Sequence, residues 1–177
     1  MNISQYKKEK LRYRAIAFAR EKHRNQWYCE EKGLTYKYHL LQQVESVLYH
    51  FNFDDEQEPN LFATAWLHDT LEDTDTTYED LEVGFGKVIA DNVLALTKPK
   101  EGTREERFLA TVPLLKQRKE ALIVKIADRI ANTEFSKSQG SKQYKMYCKE
   151  YPLFKESLYD LDNERLEDMW LRLDGVS

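Results

Sequence analysis

A run of apolar residues that ends abruptly in charge sets the strongest limit on how this chain folds. Leu61, Phe62, Ala63, Ala65, Trp66 and Leu67 lead straight into His68-Asp69-Thr70-Leu71-Glu72-Asp73. The first part has the composition of a buried helix, with Asn60 placed to cap its N-terminus. Continued as one helix to Leu71 and beyond, the stretch puts His68, Asp69, Glu72 and Asp73 within an arc of roughly 140° on one face. Three carboxylates and an imidazole buried together are very unfavourable unless something cancels the charge. A divalent cation does so, and an adjacent His-Asp pair can supply two of its ligands. Taken alone, the same residues also fit a solvated helix end running into the acidic loop Thr74-Asp75-Thr76-Thr77.

Two further positions favour the metal. His39 opens an amphipathic segment of Leu40, Leu41, Val44, Val47, Leu48 and Phe51, which puts it at or near a helix N-terminus. By itself such a histidine fits a cap or a packed core residue. Asp128 lies in a segment from Ala121 to Asn132 that is apolar nearly all round, yet Lys125, Asp128, Arg129 and Asn132 form a polar ridge at three- and four-residue spacings. A polar ridge on a core helix must be paired or must do chemistry. A structural Lys125–Asp128–Arg129 network is the plain alternative. His39, His68-Asp69 and Asp128 on three separate helices are harder to explain without a shared ligand.

Nearly everything else also reads as helix. A basic-faced helix spans about Ser4 to Asn25, and Leu40–Phe51 and Leu61–Leu71 follow. Thr77 with Asp80 forms a capping-box pattern for a short helix ending near Gly84. Gly86 to Thr97 is stopped by Lys98-Pro99, Thr103 caps the next helix, and Pro113 marks a kink or break. A helix from Ala121 to Phe135, a polar loop from Ser136 to Ser141, and helices around Tyr144–Leu158 and Glu164–Leu173 complete the chain. No alternating β-branched run and no N-G or D-G hairpin signal is present. The expected architecture is a single all-α domain of 177 residues, with its metal-site core at about 5–135 and C-terminal helices at about 141–173.

The order H…HD…D resembles the HD metal-dependent phosphohydrolase superfamily, and within it the hydrolase domain of the RelA/SpoT alarmone enzymes in stand-alone form. Ala19, His23 and Gln26 match the A-x-x-x-H-x-x-Q pattern of the first helix. Gly33-Leu34-Thr35-Tyr36-Lys37-Tyr38-His39 resembles G-x-P-Y-x-x-H-P, Leu67 to Thr74 is close to LHD-x-x-EDT, and Val124 to Asn132 resembles VKLADRLHN. The resemblance spans about residues 5–135 and implies an HD-domain helical bundle. It implies one Mn²⁺ held by His39, His68, Asp69 and Asp128, with Glu72 and Asp73 activating the attacking water. One turn beyond the dyad is also the right place for that pair to orient and deprotonate water. The implied reaction removes the 3′-pyrophosphate of guanosine tetra- or pentaphosphate. Other nucleotides remain open as substrates: adenosine 3′-pyrophosphates, a dinucleotide cofactor phosphate, or a nucleoside monophosphate. A catalytically idle alarmone-binding module is open as well, although the Glu72/Asp73 pair argues for catalysis. Long members of the family carry a synthetase domain after the hydrolase domain, which a chain ending at Ser177 is expected to lack.

Departures from the pattern fall near the base site. Leu40 and Thr35 stand where the family has proline, and Tyr28 replaces an arginine that packs on the base, at the start of an acidic loop reaching Gly33. Tyr28 offers a ring for stacking on a purine, or is an ordinary packed tyrosine. Asn132 is placed to touch the substrate's sugar or phosphate. Arg129 is a candidate to hold Glu72 and Asp73 by a bidentate bond. Pyrophosphate needs positive charge beyond the metal, for which Lys32 and Lys37, or Lys98, Lys100, Arg104 and Arg107, are candidates.

A net charge of −4 argues against a nucleic acid polymer as partner. No apolar run approaches the ~18 residues that a membrane span requires, and the N-terminus lacks an apolar leader segment. Isolated Cys29 and Cys148 suit a reduced cytoplasmic protein. The oligomeric state stays open.

Overall fold

A computed structural model describes the backbone of residues 3–159 and 164–177 and the side chains of residues 11–40, 43–159 and 166–177; the Leu41 side chain lies outside these. Helix α1 (Ile3–Lys22) presents Ala15 and Ala19, both fully buried, to α4 (Pro59–Leu67). Two small side chains one turn apart let the helix axes approach closely. The α1 chain ends at Lys22, short of the expected Asn25, with Arg20 and Lys22 in its last turn, where the helix dipole favours cations.

A small antiparallel ribbon follows that the sequence did not announce. Strand β1 (Trp27–Cys29) pairs with β2 (Leu34–Thr35) in the register Trp27 to Thr35 and Cys29 to Leu34. In place of a two-residue hairpin turn, a 3₁₀ turn at Glu30–Lys32 closes the ribbon. Gly33 sits at φ +65° with its N–H donating to the Glu30 carbonyl at 2.9 Å. Only the glycine adopts that backbone without strain.

Helix α2 (Tyr36–Tyr38) runs directly into a π-helical segment, His39–Glu45, and then α3 (Ser46–His50). The expected Leu40–Phe51 helix therefore starts earlier and is widened at its first turns. Such wide turns are rare and cluster at functional sites. Glu45, at 1% exposure, anchors the end of this segment. Its Oε1 accepts from Arg12 Nε at 2.8 Å, from Arg12 Nη2 at 2.6 Å and from Trp66 Nε1 at 3.2 Å. The charge is thus both paired and hydrogen-bonded, which makes its burial tolerable.

In α4 every residue from Leu61 to Leu67 is buried. Its start differs from expectation. Glu58 precedes the helix and Pro59 occupies its first turn, where the missing N–H is not needed, so Asn60 lies inside the helix and does not cap it. Its end differs too. The helix stops at Leu67, Asp69 takes φ −101° and ψ 0°, and α5 (Thr70–Asp73) begins anew. Thr70 Oγ1 donates to the Leu67 carbonyl at 2.7 Å, competing for the acceptor that a continuous helix would give to Leu71. The metal-candidate dyad therefore sits on a break between helices.

The expected capping box forms at Thr77/Asp80 for α6 (Tyr78–Phe85), and the expected cap at Thr103 for α8 (Arg104–Leu109) is itself a box closed by Glu106. Between them lies α7 (Lys87–Leu96). Pro113 stands in the first turn of α9 (Val112–Gln117), so it opens a helix and does not kink one. Helix α10 (Lys119–Ser138) is the central strut. It buries Ala121 through Ala127, Ile130 and Ala131 against α4, α7, the π-helical segment, α11 (Lys142–Leu158) and α12 (Glu164–Val176). One core gathers around α10, with Phe62, Leu115, Phe154, Met169 and Trp170; a second joins α1, α4 and α7 through Leu40, Trp66, Leu81 and Val93. The fold is mostly helical, as expected, apart from the ribbon. Among the described residues no helix is long and apolar enough to cross a membrane.

Candidate active site

The two cores meet where the π-helical segment, the α4–α5 break and the middle of α10 come together, and the four expected metal ligands meet there. His39 and His68 are almost fully buried, at 2% and 3% exposure. His39 Nε2 lies 3.1 Å from Asp128 Oδ1; His68 Nε2 lies 2.9 Å from Asp69 Oδ2 and 3.8 Å from Asp128 Oδ1. Ligand atoms of His39, His68 and Asp69 all fall within 4.8 Å of one another, and Asp128 reaches both imidazoles from α10.

The hydrogen bonds behind the imidazoles fix which nitrogen faces inward. His68 Nδ1 is 2.8 Å from the Ala65 carbonyl, which can only accept, so Nδ1 carries the proton. His39 Nδ1 is 3.1 Å from Gln43 Oε1 and donates in the same way. Each Nε2 then turns a lone pair toward two carboxylates, and His68 Nε2 is buried without a hydrogen-bond partner. Lone pairs and anions converging in a buried site require positive charge between them. In the protein without a cation a proton supplies it: burial pushes His68 down, but Asp69 and Asp128 outweigh that and hold it up at about 9. Burial likewise opposes ionisation of Asp69 and Asp128, and the two histidines hold both carboxyls well below the usual range. The donor set, two imidazoles with fixed tautomers and two carboxylates, fits a divalent metal ion.

Glu72 and Asp73 line the same cavity of about 180 Å³, and their surroundings set them apart. Glu72 is held by Lys98 Nζ at 3.1 and 3.2 Å, by the Lys98 N–H at 3.3 Å and by Arg107 Nη2 at 3.5 Å. The Asp73 carboxylate makes no hydrogen bond among the described residues. Partial burial against the site wall, then the nearby charges of Asp69 and Glu72, push it up to about 6. Arg129 does not hold this pair, contrary to expectation. It bonds Glu150 on α11 at 3.0 Å and stacks on Tyr147 and Phe154, because α11 crosses α10 at that level and supplies both an anion and aromatic faces.

The residues expected to contact substrate are placed as follows. Asn132 lines the cavity and bridges two site residues: its Nδ2 donates to Asp128 Oδ1, and its Oδ1 accepts from Tyr28 Oη at 2.8 Å. Tyr28 is at the cavity wall, but its ring is not an open stacking face. It lies parallel to His39 at 4.8 Å between centroids and packs against Phe135 at 4.8 Å. The expected purine platform is thus already filled by a metal-candidate histidine. Lys32 is exposed on the rim of an adjoining groove of about 760 Å³, together with Tyr28, Asn132, Phe135 and Tyr147. Lys37 and Lys100 are exposed, while Arg104 bonds Glu150.

Some contributors were not singled out from sequence. Tyr36 donates to Asp69 Oδ2 and stacks on His23 at 4.5 Å. His23 Nδ1 lies 2.6 Å from Gln26 Oε1, and Gln26 Nε2 donates to the Asp73 carbonyl at 2.6 Å. The A-x-x-x-H-x-x-Q pattern was the available signal for this brace; nothing local marked Tyr147 or Glu150.

No family model matches the chain. Over 120 residues, 66% of its length, it is 37% identical to the guanosine-3′,5′-bis(diphosphate) 3′-pyrophosphohydrolase MESH1 of Danio rerio. The chain is a homologue of the RelA/SpoT-type hydrolases. It is also 33% identical over 125 residues to a guanosine-3′,5′-bis(diphosphate) 3′-pyrophosphohydrolase of Aquifex aeolicus. The chain spans 64% of the zebrafish protein and 17% of the Aquifex one. Its fold matches a solved structure of a metazoan ortholog of SpoT, reported to hydrolyse ppGpp, with a TM-score of 0.74, 23% identity and coverage of 94% of this chain and 93% of that one. This likeness, over almost the whole length of both, is that of an HD-type helical fold.

Proposed function

We propose that this RelA/SpoT homologue is a Mn²⁺-dependent hydrolase, built from residues 1–177 as one domain. It removes the 3′-pyrophosphate from guanosine tetra- or pentaphosphate to give GDP or GTP and pyrophosphate. We place it in the cytoplasm, in keeping with its two free cysteines. The observation that carries the reading is the convergence of His39 Nε2 and His68 Nε2 on Asp69 and Asp128, beside an Asp73 carboxylate that is unpaired among the described residues.

His39, His68, Asp69 and Asp128 would hold the cation. When bound, it supplies Lewis acidity, polarising a phosphoryl oxygen and making a water more acidic. The protein's own groups do the rest. Asp73, ionised at neutral pH yet basic for a carboxylate, accepts a proton from the water that attacks the phosphorus next to the ribose 3′-oxygen. The bond from that phosphorus to the 3′-oxygen breaks, and the oxygen takes up a proton in turn. Glu72, neutralised by Lys98 and Arg107, keeps α5 fixed so that Asp73 faces the cavity. Asn132 holds Asp128 and offers its amide toward the sugar, while Lys32 stands on the rim where a nucleotide enters.

The deciding assay mixes metal-stripped protein with guanosine 3′,5′-bis(diphosphate), with and without Mn²⁺, and separates the products. Equal amounts of GDP and pyrophosphate, only with metal, are expected. Orthophosphate release, or turnover confined to the adenosine analogue, overturns the assignment.

A further inference from the structure

Lys125 is the anomaly of the site. It is buried, at 7% exposure, on the α10 face that carries Asp128 one turn later. Among the described residues its ammonium makes no hydrogen bond and no ion pair within 4 Å. Its neighbours are otherwise engaged: Lys98 and Arg107 with Glu72, Arg104 and Arg129 with Glu150. A largely buried lysine whose ammonium opens only onto a cavity and meets no protein partner is unfavourable, and an apolar side chain of the same size is the expected occupant of such a position. The charge is kept for something that arrives from outside.

What arrives can be read from where Lys125 lies. It lines the 180 Å³ cavity of the metal-candidate residues and also a neighbouring cavity of about 350 Å³. Lys98, Arg104 and Arg129 line both cavities as well, and Phe108, Leu153 and Phe154 line the larger one. Three residues along a helix correspond to a rise of about 4.5 Å, so Lys125 stands one step beyond Asp128 in the direction away from Asn132. A group of two linked phosphates reaching past Asp128 meets the Lys125 ammonium next.

We propose that Lys125 is an anion-binding residue that receives the terminal phosphate of the 3′-pyrophosphoryl group. The identity of the anion rests on the hydrolase reading above; the existence of the anion site rests on the unpartnered cation and the cavity. Lys125 neutralises charge that the first phosphate cannot share with the cation, and it fixes the pyrophosphoryl group so that the 3′-oxygen points toward Asn132.

The test uses full-length protein with free Mn²⁺ held constant, titrated with inorganic pyrophosphate and, separately, with GDP, which carries only 5′-phosphates. Lys125→Met is expected to weaken pyrophosphate binding roughly 10–100-fold, the range for losing one charge-assisted hydrogen bond. Lys125→Arg restores most of it. Mn²⁺ affinity does not fall, because removing a cation near Asp128 and Asp69 favours the metal, and GDP affinity stays within about twofold of the parent, a result that a merely structural lysine would not give. Unchanged pyrophosphate binding in Lys125→Met overturns the proposal, as does a fall in GDP affinity alone. Failure of the hydrolase reading looks different: the parent then binds pyrophosphate through Lys125 and cleaves no 3′-pyrophosphate.

Discussion

Replacing Lys125 by methionine removes a buried charge while nearly preserving side-chain length, and the structure sets the size of the effect on stability. Burial pushes the ammonium down to about 8 from an ordinary 10.5; Lys98 and Arg129 push the same way, and Asp128 and Asp69 oppose them. A lysine depressed on folding is held less tightly as a cation in the folded chain than in the unfolded one. The resulting penalty is absent above pH 10.5, grows as pH falls from there, and is complete below pH 8. At neutral pH the parent carries all of it, about 3 kcal/mol, because each pH unit separating the folded and unfolded values is worth ~1.36 kcal/mol. This is an upper figure, because the ammonium borders a cavity that admits water. Lys125→Met is accordingly expected to be more stable than the parent at pH 7, melting higher by roughly 2–4 °C per kcal/mol for a chain of this size. The gap should close between pH 8 and 10.5. Urea or thermal melts of both metal-free proteins at about pH 7, 8.5 and 10 measure it, since every other titrating group is common to the two. A variant less stable than the parent at pH 7, or a gap that does not change with pH, refutes the reasoning. The same variant should turn over substrate poorly, so stability and activity move in opposite directions.

Four other outcomes are expected. Excess Mn²⁺ should raise the melting temperature of the parent, by the equivalent of about 2.7 kcal/mol at a hundredfold excess over Kd, and leave Asp128→Ala unmoved; identical parent melts with and without metal would remove the site. Glu72→Gln with Asp73→Asn should keep Mn²⁺ bound while turnover drops roughly 10²–10⁴-fold. In the parent, kcat/KM should fall as pH drops below about 6, where Asp73 becomes protonated, and a bound cation moves that limb lower. Loss of metal in the double variant would make one or both of these residues metal ligands and overturn their assigned roles. Tyr28→Ala should weaken Mn²⁺ affinity because His39 loses the ring stacked on it, whereas Tyr28→Phe should not; metal affinity equal to the parent's in Tyr28→Ala would return that ring to the substrate.

The sequence exposed the ingredients of the site better than their connections. His39, His68-Asp69 and Asp128 were legible because each breaks an apolar pattern, and a buried polar group in such a pattern needs a reason. The helical architecture was legible from the same periodicity, down to the caps at Thr77 and Thr103, whose signals are local. The ribbon at Trp27–Thr35 was not legible, since a 3₁₀ turn ending in Gly33 lacks the dipeptides that mark tight hairpins. The break at Asp69 was hidden for a similar reason. Thr70 competes for a single backbone acceptor, and threonine occurs inside ordinary helices too.

Pairings across the fold were out of reach for a different reason. Arg129 had two carboxylates on α5 as plausible partners by spacing, but Glu150 lies 21 residues further along the chain on a helix that crosses α10 at the same height. Only the packing of α11 on α10 decides between them, with Phe154 of α11 held in the core between Phe108 and Trp170. The consequence reaches the chemistry. With Arg129 and Arg104 drawn away to Glu150, and Lys98 and Arg107 to Glu72, Lys125 is left without a bonded anion among the described residues. A polar ridge that sequence could read as a self-contained salt-bridge network is, once its neighbours are paired elsewhere, a site with an ammonium that no side chain bonds among the described residues, and it lines the cavity where a pyrophosphoryl group would lie.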